Sequence, residues 1–294
     1  MTKTAWVFPG QGSQSIGMGS DLAKLPEAQL KFEQAREILG WSVLAVSQSE
    51  DDTVSDTLYT QSCLYTLECI LVDLIKDKGH SPTVLAGHSL GEYVALYAAG
   101  VYEFGSGLRL VQRRAELMSQ TSEGAMAALM GFDRDELDAK IKATEGVVLA
   151  NDNNPSQVVI SGAPAAIDAV MDTVKSKRAV KLNVSGAFHS PLMAPAAREF
   201  EPVLSAVEFQ DASVPVLSNI EPTPKTNGQD LKNRLIRQMT GPVRWREITL
   251  QLPELGVDTV MEVGPGKVLT GLIKRTCKTL SLINVGTVEQ LEAL

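Results

Sequence analysis

The chain alternates short apolar runs with longer stretches in which apolar residues recur every three or four positions, the signature of strands alternating with helices. Residues 4 to 8, TAWVF, predict a first strand, and the glycine-rich GQGSQSIGMG after it predicts a loop whose backbone can approach a ligand closely. Helical spacing follows over 26–39 and 60–78. The second stretch carries Leu64, Leu67, Leu71, Leu74 and Ile75 and ends at Gly79. A strand over 83–86 leads through the turn GHSLG into a helix over 90–99. SGLRLVQRRAELMSQ predicts a further helix over 106–120, capped by Ser106.

Between 124 and 186 the pattern changes to strand (AMAALMGF), helix (DRDELDAKIKAT), strand (GVVLAN), strand (QVVISG), helix (PAAIDAVMDTVKS) and strand (AVKLNVS). That βαββαβ order is the ferredoxin-like arrangement. The earlier pattern then returns: a helix over 191–206, a strand over 214–218, helices within 229–252, a strand over 258–263, a helix over 266–275 and a last strand over 281–285. The expected fold class is α/β. A large domain built from 1–123 and 187–294 around one mostly parallel sheet is interrupted by a small ferredoxin-like domain over 124–186.

Composition narrows the function. Of the 294 residues, 44% are hydrophobic and 21% charged, and no uninterrupted apolar run reaches the roughly 18 to 20 residues that span a bilayer. The start, MTKTAWVFPG, lacks the basic region and long apolar stretch of a signal peptide, so the expected location is the cytoplasm, with no membrane partner. A net charge of −8 argues against nonspecific nucleic-acid binding, so an anionic ligand must meet a local basic site. Cys63, Cys69 and Cys277 have no metal-ligand spacing and are expected to be reduced, buried thiols.

The turn at 87–91 has the G-x-S-x-G spacing of a nucleophile elbow, in which a tight strand-to-helix turn exposes a serine Oγ and aims the following backbone N–H at a developing oxyanion. Ser89 is the candidate nucleophile, against the plainer reading of an ordinary glycine-rich turn. Its base must be one of three histidines. His88 adjoins Ser89 and points to the opposite side, and His80 precedes the strand at its far end, which leaves His189. Of the aspartates between residues 89 and 189, only Asp152, in NDNNP, is a conceivable orienting acid; a serine–histidine dyad held by a backbone carbonyl is at least as good a reading.

On the helix over 106–120, at roughly 100° per residue, Leu110, Val111, Leu117 and Met118 share one face with Arg114 near its middle, while Arg113 falls on the flank. A cation within an apolar stripe needs a partner. It is a snorkelling side chain, a structural ion pair or, beside a serine nucleophile, a clamp for a substrate carboxylate, which guanidinium matches bidentately.

Six stretches in order, FPGQGSQ (8–14), GHSLGE (87–92), LVQRRAELM (110–118), GAFHS (186–190), GPVRW (241–245) and EVGPGKVLTGL (262–272), resemble the malonyl-CoA:acyl carrier protein transacylase family along essentially the whole chain. The resemblance implies an α/β-hydrolase-like domain with a ferredoxin-like insertion, and a ping-pong transfer of malonyl from malonyl-CoA to the phosphopantetheine thiol of acyl carrier protein. It implies Ser89 as the acylated serine, His189 as base, Arg114 as the carboxylate clamp, and Gln11 with Leu90 as the backbone oxyanion hole. It also implies that the carbonyl of Arg244, where the family often has glutamine, orients His189. No cofactor or metal is implied, and a monomer is expected. GAFH and the leucine after the nucleophile resemble malonyl-selective members. The carrier protein is acidic, and Arg178, Lys181, Lys274 and Arg275 are candidates for its docking patch. The alternatives are a carrier protein of polyketide synthesis or malonate decarboxylation, a serine thioesterase, or a docking module with a vestigial site.

Overall fold

The structure, a computed structural model, describes residues 3–184 and 186–294. Its centre is a five-stranded parallel sheet. β1 (Thr4–Phe8) lies in the middle because its residues are apolar on both faces: Trp6 and Phe8 join one core while Ala5 and Val7 join another. A strand buried on both sides is the expected occupant of a parallel sheet covered by helices. On the first face pack α1 (Pro26–Leu39), the short α2 (Val43–Ser47) and α3 (Thr57–Asp77). The 21-residue α3 is apolar enough to cross a bilayer, yet most of it is buried in this core. It starts earlier than its apolar spacing suggests because the Asp56 side chain accepts from Leu58 N at 2.9 Å, capping the helix.

β2 (Val84–Gly87) pairs with β1 and leads through residues 88–90 into α4 (Gly91–Ala98). α5 (Phe104–Ser119) begins before Ser106, with Glu103 at its N-cap. Phe104 is buried and stacks on Tyr65, and that packing sets the helix start in place of the expected serine cap.

The chain then forms a second sheet, four-stranded and antiparallel, in the order β4-β5-β3-β6. It comprises β3 (Ala125–Phe132), α6 (Arg134–Ala143), β4 (Val147–Asn154), β5 (Gln157–Gly162), α7 (Pro164–Thr173) and β6 (Ser176–Lys181). This is the ferredoxin-like topology. β6 lies earlier than the expected AVKLNVS, whose Ser185 is outside the described residues. As an edge strand it carries Lys177, Arg178 and Lys181 with one side unpaired, so apolar alternation does not mark it.

Back in the first sheet come α8 (Ala194–Ala206), β7 (Val216–Leu217), α9 (Gly228–Gln238), α10 (Trp245–Glu254), β8 (Thr259–Val263), α11 (Val268–Thr276), β9 (Ser281–Val285) and the short α12 (Val288–Glu292). α10 and α11 cover the second face, with Trp245, Ile248, Leu252, Leu269 and Ile273 packed on Ala5 and Val7.

The two sheets are joined where β4 meets the segment before α10. Asp152 N donates to Val243 O at 2.9 Å and Val243 N to Ala150 O at 2.8 Å. The buried Asp152 carboxylate accepts from Arg134 at 3.1 and 3.3 Å and from Arg246 at 3.0 Å. Cys63 and Cys69 are buried free thiols, and burial pushes Cys63 up to about 12. Cys277 is free and half-buried, so the expectation of burial fails there.

Candidate active site

The elbow follows from how closely β1, β2 and α4 approach. A Cβ on Gly87 would lie 1.8 Å from the carbonyl carbon of Gly91, and one on Gly91 would lie 2.0 Å from the carbonyl oxygen of Phe8. Both positions exclude any side chain. Between them Ser89 takes a left-handed backbone, φ 53°, which turns its side chain away from the sheet and over its carboxyl edge. An L-residue held there costs of order 1 kcal/mol or more, so its surroundings must hold it.

Ser89 Oγ lies 2.8 Å from His189 Nε2. His189 also has a left-handed backbone, φ 57°, in the turn after the antiparallel sheet. Its Nδ1 sits 3.1 Å from the main-chain oxygens of both Gln238 and Gly241. Carbonyls only accept, so Nδ1 carries the hydrogen and Nε2 presents a lone pair to the serine. Burial first, and the charge of Arg114 second, hold His189 down at about 3, so the imidazole is neutral at ordinary pH.

The expected carbonyl of Arg244 is therefore corrected. That oxygen accepts from Ile248 N inside α10, and the Arg244 guanidinium pairs with Glu247 at 2.5 and 2.8 Å. The segment expected to orient the histidine does so through Gly241, with Gln238 just before it. Asp152 is bound in its arginine pair away from the histidine. His88 Nε2 meets Asn153 Oδ1 at 2.8 Å and its ring packs against Trp245. His80 stands in the loop before β2.

Arg114 is 1% exposed and reaches the elbow serine, with Nη2 donating to Ser89 Oγ at 3.0 Å and to Gln238 Oε1 at 3.2 Å. Nη1 donates to Gln61 Oε1 at 2.5 Å, and the guanidinium lies over the Tyr93 ring at 5.4 Å. Among the described residues its Nε has no hydrogen-bond partner and no carboxylate forms a salt bridge with it. Burial works against its charge, so an anion beside it is favoured. Arg113, on the flank, pairs with Glu116 and Glu199.

Gln11 and Leu90 lie in the loops after β1 and β2 and line the same cavity as the serine. These loops touch: a Cβ on Gly10 would lie 2.4 Å from His88 O and 3.5 Å from Leu90 N. Among the described residues neither Gln11 N nor Leu90 N donates a hydrogen bond, while the Gln11 side chain is tied to Thr57 Oγ1 at 3.0 Å. The cavity they share with Ser89, Arg114 and His189 measures about 190 Å³, and Met118, Met126, Val159 and Phe188 make much of its wall apolar.

Sequence reasoning missed Gln61, Gln238, Glu92 and Asn219. Glu92 gave a signal: it stands in GEYVALYA, a helix apolar on nearly every side, and it is 1% exposed. The glutamines and Asn219 gave none, because uncharged polar residues on helices and in loops are usually solvated.

A serine on an elbow with a neutral histidine at its Oγ is the arrangement of an acyl-transferring site. The chain belongs to the acyl transferase domain family, whose model matches residues 5–291. It is 55% identical to the malonyl CoA-acyl carrier protein transacylase of Synechocystis, covering 99% of this chain and 100% of that one. It is 41% identical to the Bacillus subtilis protein of the same name, covering 99% and 96%. The Synechocystis crystal structure superposes with a TM-score of 0.98 over 100% of both chains at 55% identity. A malonyl-transacylase in complex with a type II polyketide acyl carrier protein superposes at 0.94, with 37% identity over 99% of this chain and 98% of that one.

Proposed function

We propose that this protein moves malonyl from malonyl-CoA to the phosphopantetheine thiol of acyl carrier protein through a malonyl-serine at Ser89, supplying extender units for fatty acid synthesis in the cytoplasm. The observation that carries the reading is the 3.0 Å contact between Arg114 Nη2 and Ser89 Oγ, which sets a buried cation directly beside the serine hydroxyl.

The malonyl carboxylate takes the guanidinium and leaves the thioester carbonyl over Ser89. Ser89 Oγ attacks the carbonyl carbon as its proton passes to His189 Nε2, and the oxyanion accepts from Gln11 N and Leu90 N. Each such donor contributes about 3 kcal/mol to lowering the barrier. The C–S bond breaks, coenzyme A leaves as a thiol with the proton from His189, and malonyl remains on Ser89. The carrier thiol then repeats the steps in reverse order. Coenzyme A is the leaving group and the carrier thiol the acceptor, and the chemistry needs no cofactor.

Docking of the acidic carrier protein is assigned to the cavity mouth. Leu182, next to Lys181, and Val268 with Leu272 on α11 line that cavity, and Arg178, Lys274 and Arg275 are exposed near these elements. Lys181 is the weakest member because it pairs with Asp168 at 2.6 Å. A second reading, service to a polyketide carrier, is favoured by the likeness to the transacylase bound to a polyketide carrier protein. Malonyl transfer measured onto purified carrier proteins of both pathways decides between them, and release of free malonate in place of transfer would point to a thioesterase.

A further inference from the structure

We propose that Glu92 is a positioning residue that holds Ser89 in its left-handed conformation and aims Arg114, acting through Asn219 and Gln238. This rests on Ser89 being the nucleophile.

Both main-chain polar groups of Ser89 are gripped by side-chain amides. Its N–H donates to Asn219 Oδ1 at 2.7 Å, and its carbonyl accepts from Gln238 Nε2 at 2.8 Å. Asn219 also donates from Nδ2 to the carbonyl of Gly87 at 2.6 Å, so it spans the elbow. The two gripping residues come from different parts of the chain, Asn219 after β7 and Gln238 at the end of α9. One atom joins them: Glu92 Oε2 accepts from Asn219 N at 3.1 Å and from Gln238 Nε2 at 2.9 Å.

The link to Gln238 has a further consequence. A primary amide can turn over, exchanging its oxygen and nitrogen. With Nε2 drawn to Glu92 and to the Ser89 carbonyl, Oε1 must face Arg114 Nη2, which it meets at 3.2 Å. The main-chain oxygen of the same residue accepts from His189. Glu92 therefore reaches nucleophile, base and clamp through one residue, and touches none of them by its side chain. The strain at Ser89 needs such support, and a shift of about 1 Å in a reacting group can cost about 100-fold in rate.

The test compares Glu92→Ala, Glu92→Gln and Asn219→Ala in single-turnover acylation by saturating malonyl-CoA and acetyl-CoA, with rates normalised to folded protein by near-UV circular dichroism. Glu92→Ala is expected to slow malonylation about 100-fold and to lower the malonyl-to-acetyl preference at least threefold. Glu92→Gln keeps an acceptor oxygen and should return to within about tenfold of the parent. Should Glu92→Ala not fold, Asn219→Ala carries the test, with an expected loss of at least tenfold. Folded Glu92→Ala with parental malonylation, an unchanged donor preference, Glu92→Gln no better than Glu92→Ala, or Asn219→Ala at the parental rate would each overturn the proposal. Loss of the acyl adduct in Ser89→Ala, checked alongside, tests the nucleophile separately.

Discussion

Ser89 and His189 meet side chain to side chain at 2.8 Å, and both do so from left-handed backbones, at φ 53° and 57°. Among the described residues Asp52 is the only other non-glycine with positive φ. Strain is thus concentrated on the two residues proposed to exchange a proton, which is where pre-organisation has most value.

The histidine predicts an unusual pH profile. Its folded value of about 3 lies below the ordinary 6.5, so it stays neutral, and able to accept a proton, well into acid. The second-order rate of acylation should change less than threefold between pH 7 and pH 5; a fall centred near 6.5 would contradict this. Stability follows the same sign. The unfolded chain binds the proton first, so the contribution from His189 is complete above pH 6.5 and is lost as pH falls from there toward 3.

Arg114→Ala should reduce malonyl transfer far more than acetyl transfer. An acetyl donor leaves the buried guanidinium without a carboxylate, and a stranded buried charge costs about 2 to 5 kcal/mol, enough for at least tenfold discrimination. Rates with both donors check it, and equal losses would contradict the clamp. The substitution also removes the second cause of the low His189 value, so the acid limit of the profile should move up.

Gly91→Ala should prevent normal folding, because its Cβ would meet the Phe8 carbonyl oxygen at 2.0 Å and neither backbone can yield cheaply. A loss of about 3 kcal/mol or more is expected, read from denaturant melts. Unchanged stability would show that the strand and helix are not packed as described.

Asp152→Asn separates structure from chemistry. It weakens a buried carboxylate paired with Arg134 and Arg246, and should cost about 1 to 3 kcal/mol of stability. Acylation of Ser89 should stay within about threefold of the parent. A large loss of acylation in folded protein would return Asp152 to the reaction.

Much of this was legible in the sequence, for reasons that differ by residue. The ferredoxin-like topology showed because each strand of the small sheet except β6 is apolar against its helices, while β6 is a charged edge. Ser89 showed through Gly87 and Gly91, whose lack of a side chain is forced by contacts of 2 Å or less. Arg114 showed because a cation inside an apolar stripe is rare. The histidine's carbonyl partners did not, since any residue has a carbonyl and only the path of the chain from α9 to α10 brings those of Gln238 and Gly241 to Nδ1. Glu92 closes the motif GHSLGE, but its partners Asn219 and Gln238 are 127 and 146 positions away. No local pattern joins such residues.

The most direct measurement of the central claim is intact mass after mixing the protein with malonyl-CoA, followed by addition of holo acyl carrier protein. The parent should gain one malonyl group and pass it to the carrier thiol, while Ser89→Ala, folded, should gain none. An adduct that persists in Ser89→Ala, or a parent adduct that goes to water and never to the carrier, would contradict the account.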